Sequence, residues 1–277
     1  MLWLYYSRYS PCFKSIVEVM SKILSDNNIE NTITNTLYDN DDVWIVWYPN
    51  INKLPKKCIL YNMDPMTPDI MNGMDTLIKN NTGTTFQFLD FCYSPKTDEY
   101  YNKRGYKYTV LLYGISKHQQ INSISTNKDI DILFYGGLNQ KRINILNDLQ
   151  LHCKSKGYNM VLRINDLYDE NEKANLVHRS KIVLSIPSEP AQYGQINDLA
   201  RLSFLITNKA FIIGEVGGDK MIESLSGINY IKQHKLKETI DYYIENEDKR
   251  NQNVELVYDN FNKFFNLDKD LIYFLQA

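Results

Sequence analysis

The chain has 277 residues, of which 43% are hydrophobic and 23% charged, and its formal net charge is −2. That length gives room for two domains, and the composition is that of an ordinary globular protein. The balanced charge lacks the basic excess of duplex-binding proteins, so no nucleic-acid partner is expected. No apolar run reaches the roughly 18–20 residues that cross a bilayer, so no transmembrane segment is expected either. The four cysteines, Cys12, Cys58, Cys92 and Cys153, form no CxxC pair. They imply a reducing compartment, read here as the cytoplasm.

Met1 to Tyr6 is apolar but lacks a basic leader and a small-residue cleavage site, so Leu2–Tyr6 reads as a first strand. Ser10-Pro11 opens a helix whose apolar face carries Phe13, Ile16, Val17, Met20, Ile23 and Leu24. A short strand follows near Thr32–Leu37. Val43–Trp47 is a continuous apolar run, as a buried parallel strand requires. Strands at Cys58–Asn62, Thr85–Phe91 and Tyr108–Tyr113 alternate with helices at Pro68–Lys79 and Pro95–Lys103. The polar stretch Gly114–Asn127 reads as a linker.

The second half repeats the alternation. Strands are predicted at Ile130–Tyr135, Tyr158–Arg163, Lys181–Ile186, Ala210–Glu215 and Asn229–Ile231. Helices are predicted at Lys141–Lys154, Asn171–Arg179, Ile196–Thr207 and Leu236–Glu247, with a last one marked by Val254, Val257, Tyr258, Phe261, Phe264 and Phe265. Alternating strands and helices imply parallel sheets with right-handed crossovers. The fold class is therefore α/β, with two Rossmann-like lobes and a cleft between them. The first lobe is placed at 1–118 and the second at 119–277, the last helix packing back on the first lobe.

Ligands of open parallel sheets sit beyond the carboxyl ends of the strands. That rule selects Ser7 and Arg8, Asn62 and Asp64, Gly136 to Arg142, Arg163 to Asp166, Ser188 to Arg201, and Glu215 to Asp219. Gly136-Gly137-Leu138-Asn139 is a strand-to-helix turn. Its glycines and the following helix start suit a phosphate, although a tight turn needs the same residues. Lys141 and Arg142 oppose the helix dipole there, which an anionic ligand or plain solvent exposure would each explain. Glu189, Asn197, Asp198 and Arg201 put two acids, an amide and a cation at one sheet edge, with Asn197 or Asp198 as the alternative helix cap. Glu215 and Gly217 belong to a further glycine-containing loop, for which a turn is the simpler reading. Asp64 is the best-placed carboxylate for a general base, and an N-terminal cap is its other reading. No histidine pair has metal-ligand spacing, and Asp129-Ile130-Asp131 leads into a strand where a metal motif would follow one, so no metal is expected.

The run Asp131 to Arg142 resembles the strand, turn and helix that open the donor lobe of GT-B glycosyltransferases, most closely the enzymes related to spore-maturation glycosyltransferases and the family 1 type. Val177 to Ile186, Asp198 to Arg201 with Ile213 to Glu215, and Tyr61 to Asp64 resemble further blocks of that group. The resemblance implies a metal-independent hexosyltransferase that moves a sugar from a nucleotide-sugar donor to an unknown acceptor. It implies donor contacts from Gly136, Gly137, Asn139, Arg142, Arg163, Glu189, Asn197, Asp198, Glu215 and Gly217, with Asp64 and Arg201 catalytic. One departure stands out. Where retaining members carry two glutamates eight positions apart, this chain has Glu189 and Asn197. A non-catalytic nucleotide- or sugar-binding protein and a sugar-nucleotide epimerase are the alternatives. The Asn-, Ile-, Lys- and Tyr-rich composition is that of an AT-rich genome and would suit a large DNA virus or an intracellular microbe.

Overall fold

The computed structural model describes residues 1–6, 12–37, 40, 42–47, 53–64, 66–91, 94–122, 127–187, 199–216 and 220–276. The chain forms two compact units, one of residues 1–113 with 267–277 and one of residues 114–266.

In the first unit, β1 (Leu2–Tyr5), β2 (Asn31–Thr34), β3 (Val43–Trp47), β4 (Lys57–Asn62), β5 (Thr85–Asp90) and β6 (Tyr108–Val110) form one six-stranded sheet. The order is β2-β1-β3-β4-β5-β6 and every pairing is parallel. Three helices accompany the strands: α1 (Cys12–Asp26), α2 (Pro68–Asn80) and α3 (Pro95–Lys103). Ile16, Val17, Met20, Ile23 and Leu24 of α1 are buried, as its 3.6-residue pattern requires. α2 and α3 start alike. Thr67 and Ser94 accept the backbone N–H groups of Ile70 and Thr97, and a proline follows each cap, where its missing N–H costs nothing. The Ser10-Pro11 start predicted for α1 lies outside the described residues.

The α3 side of this sheet is aromatic. Phe88 stacks on Tyr106 at 4.9 Å between centroids, and Tyr101 on Tyr108 at 4.4 Å. Trp44, predicted to be covered, is fully buried in the same cluster. Side chains of this size contribute about 1.5–3 kcal/mol each on leaving water. A last helix, Leu267–Gln276, was not expected from the sequence; it packs on α1 and buries Leu267 and Leu271, one helical turn apart.

In the second unit, β7 (Ile130–Tyr135), β8 (Met160–Arg163), β9 (Ser180–Ser185), β10 (Ile212–Glu215) and β11 (Asn229–Ile231) form a five-stranded parallel sheet. Its order, β11-β10-β9-β7-β8, reverses direction between β7 and β9. Among the described residues seven further α-helices follow: α4 (Gln140–Lys156), α5 (Glu170–Arg179), α6 (Leu199–Thr207), α7 (Lys220–Leu225), α8 (Leu236–Glu245), α9 (Glu247–Phe264) and α10 (the Leu267–Gln276 helix of the first unit). Ile145, Leu146, Leu149 and Cys153 of α4 and Leu236 and Ile240 of α8 share one core with Ile132, Phe134, Ile182, Leu184 and Ile213. α5 packs on β7 and β9.

The stretch read as a polar linker is held in place over its first half. Gly114 lies so close to Phe265 that a Cβ would stand 1.9 Å from its carbonyl oxygen, and Ile115 N donates to that oxygen at 2.9 Å. Ser116 and Gln119 then form a capping box around a short 3₁₀ turn. Gln119 donates to Ser203 Oγ at 3.1 Å and accepts from Thr207. Asn208 Nδ2 donates to Gln119 O at 2.9 Å, and Asn208 Oδ1 accepts from Ile121 N at 3.0 Å. A polar segment is thus tied down by matching buried polar groups, which hydrophobic periodicity does not reveal.

The Asn208→Ala protein is expected to lose about 1–3 kcal/mol of unfolding free energy, because it leaves buried backbone groups without partners. Urea unfolding of both proteins checks this.

Candidate functional site

A doubly wound sheet opens a crevice at the carboxyl ends of the two strands where its order reverses. In the second unit these are β7 and β9. β7 ends at Tyr135 and runs into Gly136, whose φ of +137° is closed to ordinary L side chains. Asn139 then caps α4 by accepting the Arg142 N–H at 2.9 Å. Part of its carboxamide therefore serves the helix start.

Two arginines converge on this turn. Arg142 Nε and Nη2 donate to Ile186 O, just past β9, at 2.9 and 2.7 Å, and its Nη1 donates to Gly137 O at 2.7 Å. Arg201, on α6, donates from Nη1 to Tyr135 O at 3.0 Å. A Cβ at Gly136 would stand 3.4 Å from Arg201 Nη1 and 3.9 Å from Arg142 Nη1. Each arginine is only 8% exposed. Two guanidinium groups are thus held beside one backbone turn by main-chain carbonyls, at a helix N-terminus. Burying like charges together costs free energy, which an anion bound between them offsets. Planar forks of this kind match phosphate oxygens.

Lys141, also in the first turn of α4, reaches Glu215 at the end of β10, its Nζ 2.7 Å from Oε2. Glu215 is 6% exposed, so the ion pair has a nearly buried acid and a half-buried cation. Arg163 is turned to other partners: its Nε lies 2.9 Å from Asp166 and its Nη1 2.6 Å from Glu172. Gly137 sits against Asn165, whose own φ is +55°. The geometry therefore gathers Gly136, Gly137, Asn139, Arg142 and Arg201, with Glu215 tied in through Lys141, while two carboxylates engage Arg163. Glu189, Asn197, Asp198 and Gly217 lie outside the described residues.

In the first unit the order reverses between β1 and β3, whose following segments, 7–11 and 48–52, also lie outside the described residues, Ser7 and Arg8 among them. Asp64 follows β4. Its backbone N–H donates to Asn62 Oδ1 at 3.2 Å, and its carbonyl accepts from Asn62 Nδ2 at 2.8 Å. The cap of α2 is Thr67, so the alternative reading of Asp64 as that cap does not hold. Burial raises the Asp64 carboxyl above the ordinary carboxylate range. Asp90, fully buried at the end of β5, was not singled out from the sequence. An acid within the apolar run Phe88-Leu89-Asp90-Phe91 was its signal.

Among the described residues no group of three or more His, Cys, Asp or Glu could hold a metal ion. Asp129 pairs with Arg179 at 2.6 Å, and Asp131 with Lys181 at 2.7 Å. Among the described residues no helix is long and apolar enough to cross a membrane. An open groove of about 1300 Å³ lies along the first sheet beside α10, lined by Leu2, Val43, Gln87, Thr109 and Phe274 among others, and holds none of the candidate residues.

Solved structures of GT-B glycosyltransferases share this fold. An α-glucosyltransferase (AGT) in complex with UDP matches with a TM-score of 0.58 at 8% identity, over 99% of this chain and 98% of that one. The same name stands on a complex with UDP-glucose and DNA containing an abasic site, with a TM-score of 0.58 at 9% identity and the same coverage, 99% and 98%. WaaG, a glycosyltransferase involved in lipopolysaccharide biosynthesis, matches with a TM-score of 0.56 at 9% identity, again over 99% and 98% of the two chains. The chain therefore has the GT-B fold. No family model matches it, and no curated protein does.

Two outcomes follow. Gly136→Ala places a side chain in a strained backbone region and against Arg201, and is expected to cost about 1–3 kcal/mol of stability in urea unfolding. Asp64→Asn is expected to raise the melting temperature at neutral pH. The folded-state pKa of Asp64 lies above its unfolded value, so the folded state carries a penalty for the charged form. That penalty is absent below the unfolded carboxylate's pKa and develops as pH rises through the folded one. The gain from Asp64→Asn should accordingly vanish in acid, which melting curves across pH will check.

Proposed function

We propose that this protein is a glycosyltransferase that takes a sugar from a nucleotide-sugar donor bound to its second unit. The observation that carries this reading is the meeting of the buried Arg142 and Arg201 at Gly136, on the β7–β9 crevice. UDP and UDP-glucose complexes of the AGT structures support a donor of this class. In this reading the two guanidinium groups and the α4 N-terminus face the diphosphate. When the bond between the sugar C1 and the diphosphate oxygen breaks, negative charge builds on that oxygen. Fixed positive groups in a water-poor site stabilise it without a metal ion. Gly136 and Gly137 allow the backbone to approach the phosphates. Glu189, Asn197, Asp198, Glu215 and Gly217 serve the ribose and sugar hydroxyls. Arg163 contributes by orienting the β8 edge through Asp166 and Glu172.

On the acceptor side, Asp64 takes the proton of the attacking hydroxyl as the new C1–O bond forms. A carboxyl raised by burial is a better base for that purpose than an ordinary one. The net charge of −2 favours a non-nucleic-acid acceptor, whereas the AGT complexes with DNA favour the opposite. Binding to labelled duplex DNA at two salt concentrations separates these, and our reading expects no binding.

The test of the donor site is a thermal-shift comparison of UDP, GDP, CDP and ADP and their sugars, with and without EDTA. One nucleotide family is expected to raise the melting temperature, unaffected by EDTA. Arg201→Ala should keep the fold and weaken that binding by about tenfold or more, as expected for a lost charge-assisted contact. Undiminished binding by Arg201→Ala would remove Arg201 from the site.

A further inference from the structure

Asn62 and Asp90 are direct neighbours, paired across the last residues of β4 and β5. Both are completely buried. An asparagine and an aspartate at such positions are costly unless each polar atom has a purpose. The carboxamide of Asn62 makes three contacts. Its Oδ1 accepts from Asp64 N at 3.2 Å, and its Nδ2 donates to Asp64 O at 2.8 Å and to Asp90 Oδ2 at 2.9 Å. Asp90 in turn accepts from the hydroxyl of Tyr101 on α3, at 3.4 Å. Backbone bonds lock the strand ends on either side. Phe91 N donates to Asn62 O at 3.1 Å, and Leu111 N to Asp90 O at 2.9 Å.

The direction of this chain of contacts matters. Asn62 grips the backbone of Asp64 at both its N–H and its C=O, and so fixes the residue while leaving its carboxylate uncommitted in every contact of this network. Asp90 fixes Asn62, because an ionised or neutral carboxyl oxygen accepts from Nδ2 and so orients the amide. Tyr101 fixes Asp90 from a helix. We propose that Asn62 and Asp90 are positioning residues that hold Asp64 at the carboxyl edge of the first sheet, in the orientation in which it accepts the acceptor's proton. The inference rests on the proposed sugar transfer for the role of Asp64, but the holding of Asp64 is a separate matter with its own readout.

The ionisable groups that bear on Asp90 and on one another here include the phenols of Tyr61, Tyr100, Tyr101, Tyr108 and Tyr113. The Asp64 carboxyl is raised by burial, with no neighbouring charge among its causes. Its titration therefore reports on how deeply the turn is seated. The experiment is a carboxyl NMR titration of the full chain with labelled aspartate, the Asp64 signal assigned by its loss in Asp64→Asn. Wild type, Asn62→Ala, Asp90→Ala and Asp90→Asn are compared. The Asp64 midpoint should fall towards the ordinary carboxylate range in the two alanine variants. It should stay at the wild-type position in Asp90→Asn, which keeps an oxygen to accept from Asn62. With the nucleotide-sugar that stabilises the wild type as the sole substrate and water as acceptor, nucleotide release by Asn62→Ala should drop about tenfold or more with KM unchanged.

An Asp64 midpoint that is the same in all folded variants would overturn the positioning role. So would a midpoint that falls in Asp90→Asn as far as in Asp90→Ala, since the charge and not the hydrogen bond would then be the cause. If either alanine variant fails to fold, Asn62→Ser, which keeps one oxygen but lacks the second donor, is read in the same way. If none of UDP, GDP, CDP and ADP or their sugars stabilises the wild type, the sugar-transfer reading falls and takes the catalytic meaning of the positioning with it. The midpoints would still report the holding of Asp64 by itself.

Discussion

Two guanidinium groups taken out of water beside the same glycine are the constraint on which the second unit turns. Neither Arg142 nor Arg201 can be so buried unless oriented oxygens receive its N–H groups. Among those oxygens are the carbonyls of Tyr135, Gly137 and Ile186, at strand ends where the ladder has stopped and carbonyls are released. They are available together only because β7 and β9 lie side by side, with β8 on the far side of one and β10 on the far side of the other. A different strand order would separate these carbonyls and strand the arginines. The site is a consequence of topology before it is one of side chains.

The first unit obeys the same rule with opposite charge. Its strand ends carry Asn62 and Asp90 in place of arginines, and the neighbouring turn carries Asp64. One unit thus presents cations at a carboxyl edge and the other a held carboxylate. Both edges are stiffened by neutral means: in the first unit prolines after helix caps and an amide that bonds backbone on two sides, in the second a glycine at a φ that side chains rarely adopt.

Identity of 8–9% with the matched structures over nearly their whole length shows how little of this fold resides in particular residues. What is shared is the fold. Many side chains satisfy its requirements, because a parallel strand buried on both faces asks only for apolar volume. The same tolerance explains why a comparison by sequence is silent where a comparison of backbones is not.

The α/β class was legible because strand and helix alternate with clear periods, as in α1, and because apolar runs such as Val43–Trp47 leave no other reading. Gly136 and Arg142 were legible as neighbours in sequence, one at a turn and one on the first turn of a helix. Arg201 was named from its helix, and Asp64 from its place after a strand. The α10 helix was missed although Leu267 and Leu271 carry its spacing, since so short a stripe is persuasive only once α1 is there to bury it. The docking of Gln119 onto Ser203, Thr207 and Asn208 was missed because contacts between polar groups nearly ninety residues apart leave no period behind. What the sequence by itself determined was which segments are apolar, where they begin and end, and which polar residues stand at those ends. Which ends meet was decided by the tertiary structure alone. Strand order is set by the packing of helices on sheet faces, so the convergence of Arg142 with Arg201, the turning of Arg163 to Asp166 and Glu172, and the pairing of Asn62 with Asp90 exist only after the chain has folded.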